Sequence, residues 1–296
     1  MKRKKSDIFI DAILYSILVL LAVITLYPFM NTLAISLNEA NDTARGSIHI
    51  LPRAFTLANY SMVFKNDALY RAYAITIART LIGAPLGVLA TGIFAYGMSK
   101  RHLKGRKVYM FMCVLTMYFN GGLIPTYVLF QNLRLVNSFL VYIIPNLINV
   151  FYMVILMTYY ATIPAAVEES LKIDGAGDFT IFFKLILPLS TPVIATVALF
   201  NGVFHWNSWF DAAIYVQKSD LKPVQSVLMS VINQTKFQEA IMKSGNVGME
   251  YLRMSVVNAR SITAATMIIT IIPIIMIYPF LQRYFIKGIM VGSVKG

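Results

Sequence analysis

The side chains best suited to recognising a polar solute are concentrated between positions 201 and 211: Asn201, Phe204, His205, Trp206, Asn207, Ser208, Trp209 and Asp211. Asn, His, Ser and Asp offer hydrogen bonds to hydroxyl groups, and indole rings offer apolar faces to the C–H faces of a sugar. At helical spacing Asn201, His205 and Ser208 share one face. For Trp206, Trp209 and Asp211 a belt and anchor at a membrane interface is the competing reading. Asn146 and Asn149 follow Pro145, which can open a kink, and their amides need either neighbouring helices or a solute path. Asn120-Gly121-Gly122, ahead of Pro125, predicts a break that lines or gates a path, or that simply bends the chain.

None of this is bond-breaking chemistry. Three His occur, none at ligand spacing, so no metal site is expected. No Ser or Cys is paired with a base, and Cys113 lies alone in an apolar run. No G-x-x-x-x-G-K-[ST] phosphate loop is present, so the chain binds no nucleotide cofactor of its own by that device. A membrane-embedded enzyme is therefore the weakest reading.

The elements that carry these residues are apolar. Of 296 residues, 58% are hydrophobic and 13% charged, against roughly 45–50% and about 25% in a soluble domain. Six runs reach the ~20 residues that cross a bilayer: 12–30, 73–98, 108–129, 140–161, 185–210 and 262–281. The first exceeds the about 7–15 residues of a signal-peptide core and reads as a retained helix. The expected fold is an all-α integral membrane protein with six transmembrane helices.

Basic residues set the orientation. They cluster at Lys2, Arg3, Lys4 and Lys5, at Lys100, Arg101, Lys104, Arg106 and Lys107, at Lys172 and Lys184, and at Arg283, Lys287 and Lys295. These are alternate loops, so both termini are expected in the cytoplasm. The net charge of +13 then reflects topology and anionic lipid, and no nucleic-acid partner is required. Arg79 lies about a bilayer's thickness from Lys100 and is expected to snorkel at the outer interface. Arg71, Arg79 and Lys218 are the bases placed to attract an acidic solute. Gly83 and Gly87 allow close helix contact. Outside, the stretch 51–60 reads as a turn and an amphipathic, interface-lying segment. The loop 216–261 is a docking surface for a soluble partner or a solvated connector.

The inside loop after the fourth run is the most informative. It reads as a short amphipathic helix over Ala166–Ile173, a sharp turn at Gly175 and a second helix. Asp174 or Asp178 can cap that second helix, and Pro188 and Pro192 can sit where the fifth run begins. Such an element suits docking into another protein's groove, or is an ordinary surface hairpin.

The spacing Glu169, Gly175, Phe182 and Pro188, with Asp174-Gly175-Ala176 and Leu187-Pro188, resembles the EAA loop of binding-protein-dependent ABC importer permeases. Leu171 departs from the usual Ala, and an apolar residue there can still fill a docking groove. The tail, Gln282 to Ile289 and Gly292 to Gly296, is similar to the carbohydrate group that includes the second maltose permease subunit. Phe119 to Tyr127 resembles the branch handling alginate and pectin fragments.

The resemblance implies the type I ABC importer permease fold and a non-catalytic subunit of the bacterial cytoplasmic (inner) membrane. It implies an importer of oligosaccharides or polysaccharide fragments, uronate-containing ones among them. Its partners would be a homologous permease, two cytoplasmic ATPases that bind ATP and Mg, and an extracytoplasmic solute-binding protein. Glu168, Glu169, Ser170, Leu171, Asp174, Gly175, Ala176 and Pro188 would couple to the ATPases. Asn120, Asn146, Asn149, Asn201, Phe204, His205, Trp206, Asn207 and Trp209 are the path candidates. The implied layout is 1–30 for the basic segment and first helix, 31–72 for an outer loop, 73–285 for the permease core with its coupling loop at 161–184, and 286–296 for a tail. An ion-coupled secondary transporter of sugars is the alternative, although the central thirds of the spans hold no ionisable residue except His205.

Overall fold

The computed structural model describes residues 5–244, 259–277 and 279. The tail motif 282–296, residues 1–4, positions 245–258 of the outer loop and the end of the sixth run lie outside the described residues.

In chain order the helices are α1 (Lys5–Ser36), α2 (Ala40–Ala44), α3 (Ala58–Phe64), α4 (Asp67–Ser99), α5 (Arg106–Tyr118), α6 (Leu123–Asn132), α7 (Val150–Tyr160), α8 (Ala165–Ile173), α9 (Asp178–Ile181), α10 (Leu187–Leu189), α11 (Thr191–Asn207), α12 (Phe210–Tyr215), α13 (Val224–Ser244) and α14 (Ala259–Ile277). Among the described residues the only strand-like feature is an antiparallel bridge between Asn38 and Phe55.

Three helices are long and apolar enough to cross a membrane by themselves: Phe9–Ser36 of α1, α4 and α14. The other three expected spans are bent pairs. α5 and α6 meet at 113°, α10 and α11 at 86°, and the 3-10 segment Phe139–Asn146 meets α7 at 44°. The first break falls at Asn120-Gly121-Gly122 and the last-named one just after Pro145, where the sequence placed them. The fifth run departs from expectation: it is not one helix over 185–210 but begins anew at Thr191 and ends at Asn207. Pro188 ends up inside the short α10, on the far side of the bend, and Pro192 lies in the first turn of α11, where its missing N–H costs nothing.

Two compact units divide the chain. The first comprises Met1–Leu69 and Leu228–Ile272. Here the most apolar stretch of α1 is wholly exposed, and a helix apolar on all sides fits a lipid solvent. Its hydroxyls are satisfied within the helix, Ser16 donating to Ala12 O and Thr25 to Leu21 O, as a bilayer demands. After α1 the chain is knotted around Asn38. Its amide nitrogen reaches Asp42 Oδ2 and Thr43 Oγ1, both at 3.0 Å. Its oxygen accepts the Arg53 and Ala54 N–H groups at 2.8 Å. Arg53 returns to Asp42 at 3.0 Å. This knot leaves Leu51, Phe55 and Leu57 exposed, as an interface-lying segment would. In the same unit Thr235 meets Thr263, joining α13 to α14.

The second unit comprises Tyr70–Val227 and Pro273–Gly296. One core is built from Val88, Ala95, Tyr96 and Met98 of α4 with Met153, Leu156 and Tyr160 of α7, Ile181, Phe182 and Ile186, and Val193 and Val197 of α11. A second core gathers Leu135, Val141, Tyr142 and Ile143 with Ala212, Tyr215 and Val216.

The Asn38 amide holds the Asp42 carboxyl below the usual carboxylate range, with Arg53 and Arg45 adding to it against some desolvation. A carboxyl lowered in the folded state stabilises fully above its unfolded value, about 3.9, and stops doing so as pH falls through the lowered value. The protection factors of residues 38–54, taken relative to the intrinsic exchange rate at each pH, are therefore expected to fall on acidification from pH 5 to pH 3 in the native chain, and to lose that response in Asp42→Asn.

Candidate coupling loop and solute-facing residues

One face of α4 organises the second unit. Arg79, Gly83, Gly87, Thr91 and Ala95 recur every fourth residue and so form a single row. The small members let other elements touch the backbone of α4. A methyl group on Gly83 would stand 2.6 Å from His205 Cε1, and one on Gly87 would stand 2.6 Å from Asn201 Nδ2 and 3.3 Å from Asn146 O. Thr91 Oγ1 donates to Leu147 O and accepts from Asn149 N. Farther along, Tyr96 packs on Phe182 with ring centroids 5.5 Å apart.

Arg79 closes one end of this row, and here the sequence expectation is corrected. The guanidinium does not snorkel. Its side chain is 0% exposed and pairs with Asp211 at 2.5 Å. It also donates to Ser208 O and stacks 4.3 Å over the Tyr142 ring. The reason is that α4 continues beyond Arg79 for about three turns to Asp67, while the break between α11 and α12 folds Ser208 and Asp211 over the guanidinium. Arg79, so neutralised, is not a base that attracts solute. Arg71 lies 3.8 Å from Asp220 on the surface, and Lys218 is exposed.

The path candidates divide in two. Asn201 is buried and donates to Ala84 O at 3.2 Å. His205 is fully buried, and Trp206 is buried with its ring 6.4 Å from that of Tyr73. All three sit in contacts between elements of this chain. Asn146 is half-buried and donates to Tyr142 O. Phe204, Asn207, Trp209, Asn120 and Asn149 are exposed. Asn120 accepts from Gly122 N, Asn149 caps α7 by accepting from Tyr152 N, and Asn207 accepts from Gln225. The structure thus gathers Asn146, Asn201 and His205 on the row of α4. No described hydrogen bond joins Asn120 to them.

The loop 161–184 is a helical hairpin. Gly175 has φ +82°, a left-handed turn that favours glycine. Asp174 is the C-cap of α8 rather than a cap for the second helix. Asp178 caps nothing: it lies in the first turn of α9 and pairs with Lys172 at 3.3 Å. No residue of α8 is buried. Glu169, Ser170 and Asp174 are exposed, as is Pro188 beyond the hairpin. Leu171 and Ala176 turn inward and pack on the core of their own chain, so Leu171 does not face a docking groove. The exposed large apolar groups are Val167, Ile173, Phe179 and Phe183, of which Ile173 and Phe179 are 86% and 68% accessible. Sequence reasoning passed over Ile173. The signal was present, since two helical steps turn it about 200° from Leu171. Glu168 forms an ion pair with Lys100, and Tyr96 OH lies 3.5 Å from the same carboxylate.

Spans that are apolar, broken and lined with satisfied amides, together with an exposed turned hairpin, define a transport permease. Residues 83–291 match the family described as binding-protein-dependent transport system inner membrane component, and the chain belongs to that family. It is 35% identical to a polygalacturonan/rhamnogalacturonan transport system permease of Bacillus subtilis, over 97% of this chain and 98% of that one. It is 26% identical to an arabinooligosaccharides transport system permease of Halalkalibacterium halodurans, over the full length of both. Among solved structures it is similar to a bacterial ABC transporter involved in the import of the acidic polysaccharide alginate, with TM-score 0.83, 27% identity, and coverage of 96% of this chain and 99% of that one.

Replacing Arg79 with Met alone strands Asp211 and is expected to cost about 3–5 kcal/mol, whereas the double replacement Arg79→Met with Asp211→Leu should recover most of it. Thermal unfolding of the detergent-purified chain measures both. Gly87→Val should likewise lower the unfolding temperature, because the added side chain would displace the Asn201 amide at 2.6 Å and press on the Asn146 carbonyl at 3.3 Å.

Proposed function

We propose that this chain is the transmembrane permease subunit of an ATP-driven importer for oligosaccharides or polysaccharide fragments, with acidic, uronate-containing fragments the favoured class. It forms the translocation path with a homologous permease and receives an extracytoplasmic solute-binding protein outside. Two cytoplasmic ATPases, which bind the ATP and Mg, dock inside. The chain itself is non-catalytic. It spans the membrane six times in the type I arrangement with both termini in the cytoplasm. The three long helices and three bent pairs support that count, and the alternating basic loops support the orientation.

The observation that carries this reading is α8. It is a short exposed helix offering Val167 and Ile173, followed by the turn at Gly175 and by Phe179 on α9, in a chain of this family. Apolar groups exposed on a polar loop suit the groove of an ATPase. Closure of the ATPase dimer would move this hairpin, and the helices packed on α4 would follow, turning the path from inward-facing to outward-facing. Phe204, Asn207 and Trp209 on the exposed side of α11 and its end, with Asn120 and Asn149, are the path residues accessible in this conformation. Asn146, Asn201, His205 and Trp206 support them from behind. The substrate class is supported by the relatives, whose names specify polygalacturonan, rhamnogalacturonan, arabinooligosaccharides and alginate.

Three outcomes test this reading. Tagged and extracted in mild detergent, the chain should retain a second permease and an ATPase, identified by mass spectrometry; recovery of the chain alone would reopen the secondary-transporter alternative. Gly175→Val should leave membrane insertion intact and abolish uptake, because a β-branched residue resists φ +82°. In proteoliposomes, ATP hydrolysis should respond to acidic oligosaccharides presented by the binding protein more than to neutral ones of equal length; equal stimulation would remove the acidic preference.

A further inference from the structure

Ile163, Ala176, Ile181 and Phe182 anchor the ends of the hairpin in the core of the second unit, but α8 itself is attached by few groups: of its residues Leu171 packs on that core, and none is buried. Among the described residues, one salt bridge joins α8 to a long helix of the bundle: Glu168 with Lys100, which directly follows the last residue of α4. Both side chains are largely shielded, at 17% and 16% accessible. Their attraction is therefore less screened than that of a surface pair. The other salt bridge of the hairpin, Lys172 with Asp178, stays within it.

Lys100 is fixed from a second direction. Its ammonium lies 3.9 Å from the centroid of the Tyr96 ring, one turn back on α4. The same ring packs at 5.5 Å on Phe182, which belongs to the descending arm of the hairpin, and at 6.5 Å on Tyr160, the last residue of α7 before the hairpin begins. Phe182 opens a turn of π-helix, Phe182–Ile186, where the regular hydrogen-bond ladder is interrupted. Both arms of the hairpin therefore converge on one turn of α4. The ascending arm is held by charge through Glu168, and the descending arm by aromatic contact through Phe182. The row that begins at this turn runs on through Thr91, Gly87 and Gly83 to Arg79.

We propose that Lys100 and Glu168, seated on Tyr96, are positioning residues that make the hairpin and α4 move as one body, so that displacement of α8 reaches the row of α4 instead of being absorbed as local bending. This rests on the reading of α8 as the ATPase-docking element. Without the pair, α8 remains tethered by Leu171 and by the chain alone, and nucleotide-driven motion is dissipated at the Gly175 turn and the π-turn. The role belongs to the pair of opposite charges, not to either residue separately. Exchanging the two charges keeps the ion pair but loses the cation on the Tyr96 ring, so it restores the role in part, and Arg in place of Lys100 retains both the charge and the stacking on Tyr96.

The test uses the full complex in proteoliposomes with its binding protein, and reads solute moved per ATP hydrolysed, a ratio independent of how much complex is recovered. Lys100→Gln and Glu168→Gln are each expected to lower that ratio about fivefold or more, the scale of an ordinary coupling between sites. K100R and the charge-swapped variant K100E/E168K should return it toward the native value. Native ratios in both single variants would overturn the proposal. So would a charge swap that fails to rescue while Glu168→Gln alone loses the co-purifying ATPase, since Glu168 would then act on the ATPase directly. A native complex that moves no solute when it hydrolyses ATP would instead overturn the importer reading on which the proposal rests, and is distinguished by being seen without any substitution.

Discussion

Small residues at every fourth position of α4 bring α11 and the segment 146–149 against its backbone, and hydrogen bonds are made at Ala84 by Asn201 and at Thr91 by Leu147 and Asn149. In hydrocarbon, apolar side chains gain nothing by leaving lipid for one another, so association depends on close packing and on satisfying polar groups internally. Gly83 and Gly87 admit His205 and Asn201 at distances that leave no room for a methyl group. Thr91 bonds to both sides of the break that precedes α7. The broken spans are consistent with the same constraint. A helix interrupted at membrane depth frees backbone groups, and at the breaks 119–122 and 147–149 an Asn side chain accepts one of the freed N–H groups, Asn120 from Gly122 and Asn149 from Tyr152.

The two ends of the α4 row are closed by charge. At one end Arg79 and Asp211 form a pair in which the Arg side chain is wholly shielded, and Tyr142 covers the guanidinium. Pairs so placed contribute little net stability against apolar replacements, yet leaving one partner alone is costly. This pair joins α4 to the α11–α12 break. At the other end Lys100 and Glu168 join α4 to the hairpin. Between them lies a core whose large members, Phe182, Met153, Leu156 and Ile181, are almost completely buried. A unit packed in this way is suited to moving as a body, with compliance confined to its turns.

The family membership explains why the hairpin is exposed while the residues above it are buried. A chain of a binding-protein-dependent system works only in an assembly, and surface left bare in one chain is surface for another. The same reasoning applies to Ile173 and Phe179 on the hairpin; the exposed apolar stretch of α1 is instead suited to lipid.

Local patterns in the sequence were enough to define the class of molecule. Six apolar runs, the alternating basic loops and the spacing from Glu169 to Pro188 are local or periodic features, and each depends on residues near one another in the chain. For that reason the breaks at Asn120 and after Pro145, the turn at Gly175 and the close contact at Gly83 and Gly87 were all legible. Contacts between residues far apart in the chain were not. Arg79 and Asp211 are separated by more than a hundred positions, and nothing local marks them as a pair, so a snorkelling side chain was the reasonable expectation and burial was the outcome. Leu171 and Ile173 are both apolar, and only the packing of α8 on its own core decided which faces outward. Asn201 and His205 share a helical face in the sequence, but whether that face meets solute or another helix depends on where α4 lies. Periodicity fixes which residues point together; the fold decides what they point at, because burial is a property of neighbours and not of the residue.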